Sequence, residues 1–203
     1  NPRAEINELI KHQNLKKLLL KAGELHGHYC PGLAQGVKAA FCLINQLNLY
    51  STGMEDVLAI IETNSCFADG IQYVTGCTFG NNALIYKDLG KTAVTLTDRK
   101  EKSMRLYYKK DNLIQENYPE VHKLFKKVVT NRNGTAEEKE LLNQKWQEVA
   151  FDMINLPAEK LFKIEEVEPE IPEYAPIYED KYCDNCQEKI MAPKAVARDD
   201  KIL

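Results

Sequence analysis

Leu25-His26-Gly27-His28-Tyr29-Cys30-Pro31-Gly32-Leu33 joins two stretches of helical periodicity, and the order of the chain follows from it. Upstream, Ile6, Leu9 and Ile10, then Leu15, Leu18, Leu19 and Leu25, recur at helical spacing, with Asn14 as a cap that restarts the helix. Downstream, a second helical pattern runs to about Leu47. Pro31 suits the first position of that helix, which makes Cys30 its N-cap. Alternate residues of an extended segment project to one side, so His26, His28 and Cys30 can converge, with Gly27 allowing a tight bend between the imidazoles. A cysteine at a helix N-terminus lies in the positive end of the macrodipole, which favours thiolate. Neutral imidazole with thiolate is a donor set that zinc or another transition metal prefers. The alternative is a turn whose histidines only cap the helix and hydrogen-bond locally.

Further on, residues 57–62 read as a short buried strand and residues 66–74 as the helix after it. Cys66 opens that helix as Cys30 opens the earlier one. It is expected to complete the metal site or to act as a nucleophile; packing as a small apolar residue is the competing reading. Asp69, one turn on, is placed to orient a ligand or bind substrate. The loop 75–82 is too short for a phosphate-binding motif of the G-x-x-x-x-G-K-S/T type. Its Cys77 and Thr78 are candidates for contact with a cofactor, while Gly76 and Gly80 read as turn residues. Strands follow over 84–86, 91–97 and 103–108, the last two forming a hairpin through Asp98-Arg99-Lys100-Glu101. Lys91 offers a positive charge to a cleft, or is solvated surface. Cys30, Cys66, Asp69 and Lys91 are the catalytic candidates; Cys42, between Phe41 and Leu43, reads as core.

From Pro119 the chain is helical again, broken at Asn133-Gly134 and restarted by a capping box of Thr135 and Glu138. A short element covers 161–167. Helices flanking an antiparallel or mixed sheet argue for an α+β fold. The expected organisation is a core over 1–165, a linker over 166–180 rich in proline and acid, and a small zinc-finger-like unit over 181–203. There Cys183 and Cys186 form a C-x-x-C, half of a four-ligand zinc site. Either further cysteines lie beyond Leu203, or another part of the structure supplies ligands.

Charge and hydropathy exclude several classes. With 27 basic and 30 acidic residues in 203, the net charge of −3 predicts no general attraction to nucleic acid or anionic membrane, and the tail lysines are interspersed with acids. No apolar run approaches the length of a membrane span. Residues 1–5 show no basic-then-apolar leader pattern, and a reducing, cytoplasmic compartment is the expectation. No closely spaced cysteine run suits an iron–sulfur cluster.

The chain resembles the FmdE family, that of the formylmethanofuran dehydrogenase E-subunit, through His26-Gly27-His28-Tyr29-Cys30-Pro31-Gly32-Leu33 with Gly36, Cys66-Phe67-Ala68-Asp69, Thr75-Gly76-Cys77-Thr78-Phe79-Gly80 and Asp88-Leu89-Gly90-Lys91-Thr92-Ala93. That family takes its name from a protein associated with the molybdenum or tungsten enzyme of methanogenesis. The resemblance implies an α+β core, often followed by a treble-clef zinc finger, a metal site around the histidine–cysteine motif, and a homodimer. It does not imply dehydrogenase activity. Two functions stand beside each other: a metal-dependent protein with a site in the core that performs chemistry, and an accessory module that holds metal or cofactor and docks a larger oxidoreductase through the finger.

Overall fold

The computed structural model describes residues 1–100, 102–109 and 112–203, so Glu101 of the expected hairpin turn lies outside the described residues. The chain divides into two compact units, Asn1–Ile171 and Pro172–Leu203.

In the first unit, helices α1 (Ala4–Lys11) and α2 (Leu15–His26) are separated at Asn14, whose side chain accepts from Lys17 N–H at 3.1 Å. Gly27 ends α2 at φ +83°, a conformation in which a side chain would be strained. Pro31 then starts α3 (Pro31–Leu47), with Cys30 as N-cap. α3 is buried on most sides, including Leu33, Ala34, Val37, Ala39, Ala40 and Leu43, so it is the central helix of the core.

Strand β1 (Leu58–Ile61) is buried throughout and leads into α4 (Cys66–Thr75), β2 (Leu84–Tyr86), β3 (Ala93–Thr97) and β4 (Ser103–Tyr108). Short helices α5 (Leu113–Asn117) and α6 (Pro119–Phe125) follow, then a π-helical turn at Lys126–Thr130. The long α7 (Ala136–Asn155) starts at the expected capping box of Thr135 and Glu138. α8 (Ala158–Leu161) and β5 (Phe162–Glu166) complete the unit.

The sheet order is β2-β1-β3-β4-β5. β1 and β2 are parallel and every other neighbouring pair is antiparallel, which makes the sheet mixed and the fold α+β. The parallel pair has a physical origin: α4 and its following loop form the crossover that parallel neighbours require. Glu62, just after β1, is buried and accepts from Arg105 Nε at 2.6 Å and Nη2 at 2.9 Å, tying the edge of β1 to β4.

α3 and α4 pack backbone to backbone. A Cβ on Gly36 would lie 2.1 Å from Phe67 O, and one on Gly70 would lie 2.5 Å from Val37 N. Only glycine permits this approach at these two positions, and its consequence is that the N-termini of both helices meet. Lys38, buried on α3, donates to Ile154 O at 2.7 Å and anchors α7 to the same helix.

In the second unit, β6 (Asp180–Tyr182) and β7 (Lys189–Met191) form a hairpin, and a 3₁₀ turn at Ala192–Lys194 leads to β8 (Ala197–Arg198) paired with β9 (Lys201–Ile202). Among the described residues, no helix is long and apolar enough to cross a membrane.

Candidate metal centre

Each donor of the site is placed by the end of a helix. His26 is the last residue of α2, Cys30 caps α3, and Cys66 is the first residue of α4. His28 lies in the turn between the first two. The convergence of α3 and α4 through Gly36 and Gly70 brings the sulfurs together; a Cβ on Gly32 would sit 3.1 Å from Cys66 Cβ. One ligand atom from each of His26, His28, Cys30 and Cys66 lies within 4.8 Å of all the others. A tetrahedral zinc ion with bonds of about 2.0–2.3 Å needs its donors roughly 3.3–3.8 Å apart. Cys30 Sγ and His26 Nε2 stand at 3.8 Å, so the donor set fits such an ion after a small contraction.

The surroundings prepare these side chains for a cation. His26 Nδ1 is 2.7 Å from Asp69 Oδ2, and Gln72 Nε2 donates to the other carboxylate oxygen at 3.1 Å. A carboxylate holding Nδ1–H leaves Nε2 free as the ligand nitrogen and increases its basicity. Cys30 Sγ accepts from Leu33 N–H at 3.4 Å, so the thiol caps α3 through its sulfur. Hydrogen bonding from Cys30 holds the Cys66 thiol below its ordinary range, with His26 next to it adding to the effect. The same contact, with burial, pushes Cys30 up. The two sulfurs thus share one proton, and a bound cation would replace it.

The histidines differ. His26 is nearly buried and carries its Asp69 partner, whereas His28 is exposed and, among the described residues, its ring has no hydrogen bond. The rings lie 4.3 Å apart, tilted by 35°. Three donors are therefore held by the fold and the fourth only by its turn.

The other sequence candidates are placed elsewhere. Cys77 is fully buried, its thiol donating to Val57 O at 3.4 Å, and burial pushes it up to about 11. Thr78 and Asn81 hydrogen-bond each other, N–H to side chain in both directions, as a closed turn. Lys91 is exposed and its N–H donates to Glu62 O at 3.0 Å at the entry to β3. Cys42 is half-buried on α3, and burial raises it. Cys183 and Cys186 occupy the turn between β6 and β7. N–H groups of Cys186 and Asn185 point at Cys183 sulfur and lower its pKa. Among the described residues no third ligand joins that pair.

One feature of the site has no counterpart in the sequence motifs. A cavity of about 280 Å³ opens on Cys30 and Cys66 and is lined besides by Pro31, Gly32, Ser65, Ile114, His122, Phe125 and Trp146. Its outer wall comes from α5, α6 and α7, where Phe125 stacks on Trp146 at 4.8 Å. Nothing in the local spacing of His122 or Trp146 marks them; only their position over the two sulfurs does.

Comparison with known proteins agrees with this geometry. A solved structure from Syntrophus aciditrophicus, of an FmdE-like protein of tungsten formylmethanofuran dehydrogenase, shares the fold, with a TM-score of 0.54 at 23% identity over 88% of this chain and 86% of that one. A curated relative from Archaeoglobus fulgidus, named "Probable S-adenosyl-L-methionine-binding protein", is 43% identical over 192 residues, 92% of this chain. The chain spans about half the length of that relative, 52%. Residues 25–163 match the family described as "FmdE, Molybdenum formylmethanofuran dehydrogenase operon". That match covers well over half of the chain and takes in all four converging donors, and the chain belongs to the FmdE family.

Proposed function

We propose that this protein is a zinc-binding member of the FmdE family whose core site performs chemistry on a small ligand. The observation that supports it is the convergence of two imidazoles and two thiols from three helix ends. Two thiolates and two neutral imidazoles balance the charge of a divalent ion, and soft sulfur donors favour zinc over magnesium or calcium. Zinc bound there supplies Lewis acidity. Asp69 is a positioning residue that sets the tautomer of His26. Cys30 and Cys66 hold charge at the positive ends of α3 and α4. His28, exposed and without a supporting hydrogen bond, is the donor most readily exchanged for an incoming ligand.

Metal analysis of the full chain tests the reading. About one zinc per core site is expected, lost in Cys66→Ala and retained in Cys186→Ala. Equal metal in both variants overturns the assignment.

The alternative of an accessory module rests on the separate Pro172–Leu203 unit, which carries its own pairing and the Cys183/Cys186 turn. In that reading the tail docks a larger oxidoreductase; capture of such an enzyme by the full chain but not by a chain ending at Ile171 supports it. A homodimer and a reducing cytoplasmic location complete the proposal, since unbridged thiols are the ligands. S-Adenosyl-L-methionine is a poor match to the cavity beside the sulfurs. It carries an ammonium, a carboxylate and a sulfonium, and the cavity offers no carboxylate, lysine or arginine to meet them.

A further inference from the structure

The cavity over Cys30 and Cys66 contains a buried polar atom without a partner. His122 lines the cavity, and its Nε2 is shielded from solvent and makes no hydrogen bond among the described residues. Buried polar groups in folded proteins are nearly always hydrogen-bonded, so an orphan nitrogen at the edge of a cavity implies that something else satisfies it. The remaining lining is apolar or aromatic apart from Ser65 and the two sulfurs. It combines Ile114 of α5, Phe125 of α6 and Trp146 of α7 with Pro31 and Gly32 at the start of α3. His26 and His28 are not part of it, so the cavity reaches the four-donor group from the side of its sulfurs.

Size and polarity define the occupant. A volume of about 280 Å³ corresponds to roughly nine waters at about 30 Å³ each, which is the room taken by a single substituted ring. The absence of lysine, arginine and carboxylates from the lining disfavours a charged ligand. The stacked faces of Phe125 and Trp146 favour a flat one. A hydroxyl can both donate and accept, so it pairs with Nε2 in either tautomer of His122.

We infer that this cavity is a binding site for an uncharged, ring-sized aromatic alcohol. His122 takes the hydroxyl, and the ring lies against Trp146 with one edge towards Cys30 and Cys66. The π-helical turn that follows Phe125 is a common accompaniment of functional sites, and here it lies at the end of the helix that carries His122. The inference deepens the metal-site reading, on which the role of the cavity's inner end rests.

Trp146 is the single tryptophan of the chain, so its fluorescence reports on this wall alone. Full-length protein is titrated with three nitroaromatic quenchers: 4-nitrobenzyl alcohol, 4-nitrotoluene and 4-nitrobenzoate. Saturable quenching is expected, with the alcohol bound roughly five- to tenfold more tightly than the toluene and the benzoate weaker than both. In His122→Leu the alcohol loses its advantage and matches the toluene. Non-saturable quenching by all three, tight benzoate binding, or an alcohol preference that survives His122→Leu overturns the proposal. Should that variant fail to fold by circular dichroism, equal affinity of the wild type for alcohol and toluene overturns it by itself. Zinc content is measured on the same samples. Binding lost with zinc retained sinks the cavity and spares the metal site; binding retained without zinc does the reverse.

Discussion

Two cysteine pairs in this chain are built on opposite principles. Cys183 and Cys186 are three residues apart, and a single hairpin turn brings them together. Cys30 and Cys66 are separated by a helix and a strand, and only the packing of α3 on α4 makes them neighbours. The local pair remains two donors. The distant pair gathers two imidazoles as well, because each sulfur sits at a helix start beside the end of α2. Local spacing is cheap to encode and supplies half a site, whereas tertiary convergence supplies a full coordination set and a cavity next to it.

If this contrast is right, damage to helix packing far from any donor has to reach the core pair and leave the tail pair untouched. Gly36→Ala places a methyl group 2.1 Å from the Phe67 carbonyl, so the helices must part. A loss of roughly 1–3 kcal/mol in unfolding free energy is expected by denaturant titration. Zinc binding in the core should weaken with it, while thiol alkylation of Cys186 proceeds at the wild-type rate. Unchanged stability and metal affinity would break the comparison.

A smaller effect is expected from the residue that orients a donor. Asp69→Asn retains the shape of the side chain but removes the charge behind His26 Nδ1. Competition with a chromophoric chelator should show zinc affinity falling roughly 10- to 100-fold without a change in fold. An unaltered affinity would mean that His26 is held by its helix and not by Asp69.

The smallest effect sharpens the contrast between the units. Hydrogen bonds from Arg105 hold the Glu62 carboxyl below its ordinary range, and Glu62 is buried, whereas the tail pair of Lys189 with Asp180 is exposed. A depressed carboxylate contributes stability that is fully present above its unfolded value and is lost as pH falls through the folded one. The core should therefore lose about 1 kcal/mol on acidification below the unfolded carboxylate value of about 4.3, and Glu62→Gln should remove that slope. Thermal melts of wild type and variant between neutral and acid pH measure it; parallel slopes would reject the assignment.

Much of the local structure was legible because its signals are local. Asn14, Pro31 and the Thr135–Glu138 box act within one turn, and all three end or start helices where expected. Strands β1, β2 and β4 lie where the short apolar runs place them, and β3 starts at Ala93, after Gly90 has used its positive φ. The short α5 had no such signal, being too brief for periodicity. The order of strands was not legible either, since nothing in the apolar runs says that β2 returns parallel to β1.

The site divides in the same way. His26, His28 and Cys30 stand close enough in the chain for their donor chemistry to be read directly, and Cys66 repeats the setting of Cys30 at a second helix start. His122 and Trp146 could not be found, because a histidine among lysines and a tryptophan on an amphipathic helix are ordinary until something lies opposite them.

The sequence by itself determined the helix ends, the donor types and the α+β class, since caps, turn residues and hydrophobic periodicity act over a few residues. The tertiary structure decided which donors meet, that Cys77 is buried away from them, and that an apolar cavity adjoins the sulfurs. Those outcomes depend on the close approach of α3 and α4 at Gly36 and Gly70 and on how the later helices pack over it, and neither is encoded in the spacing of any one segment.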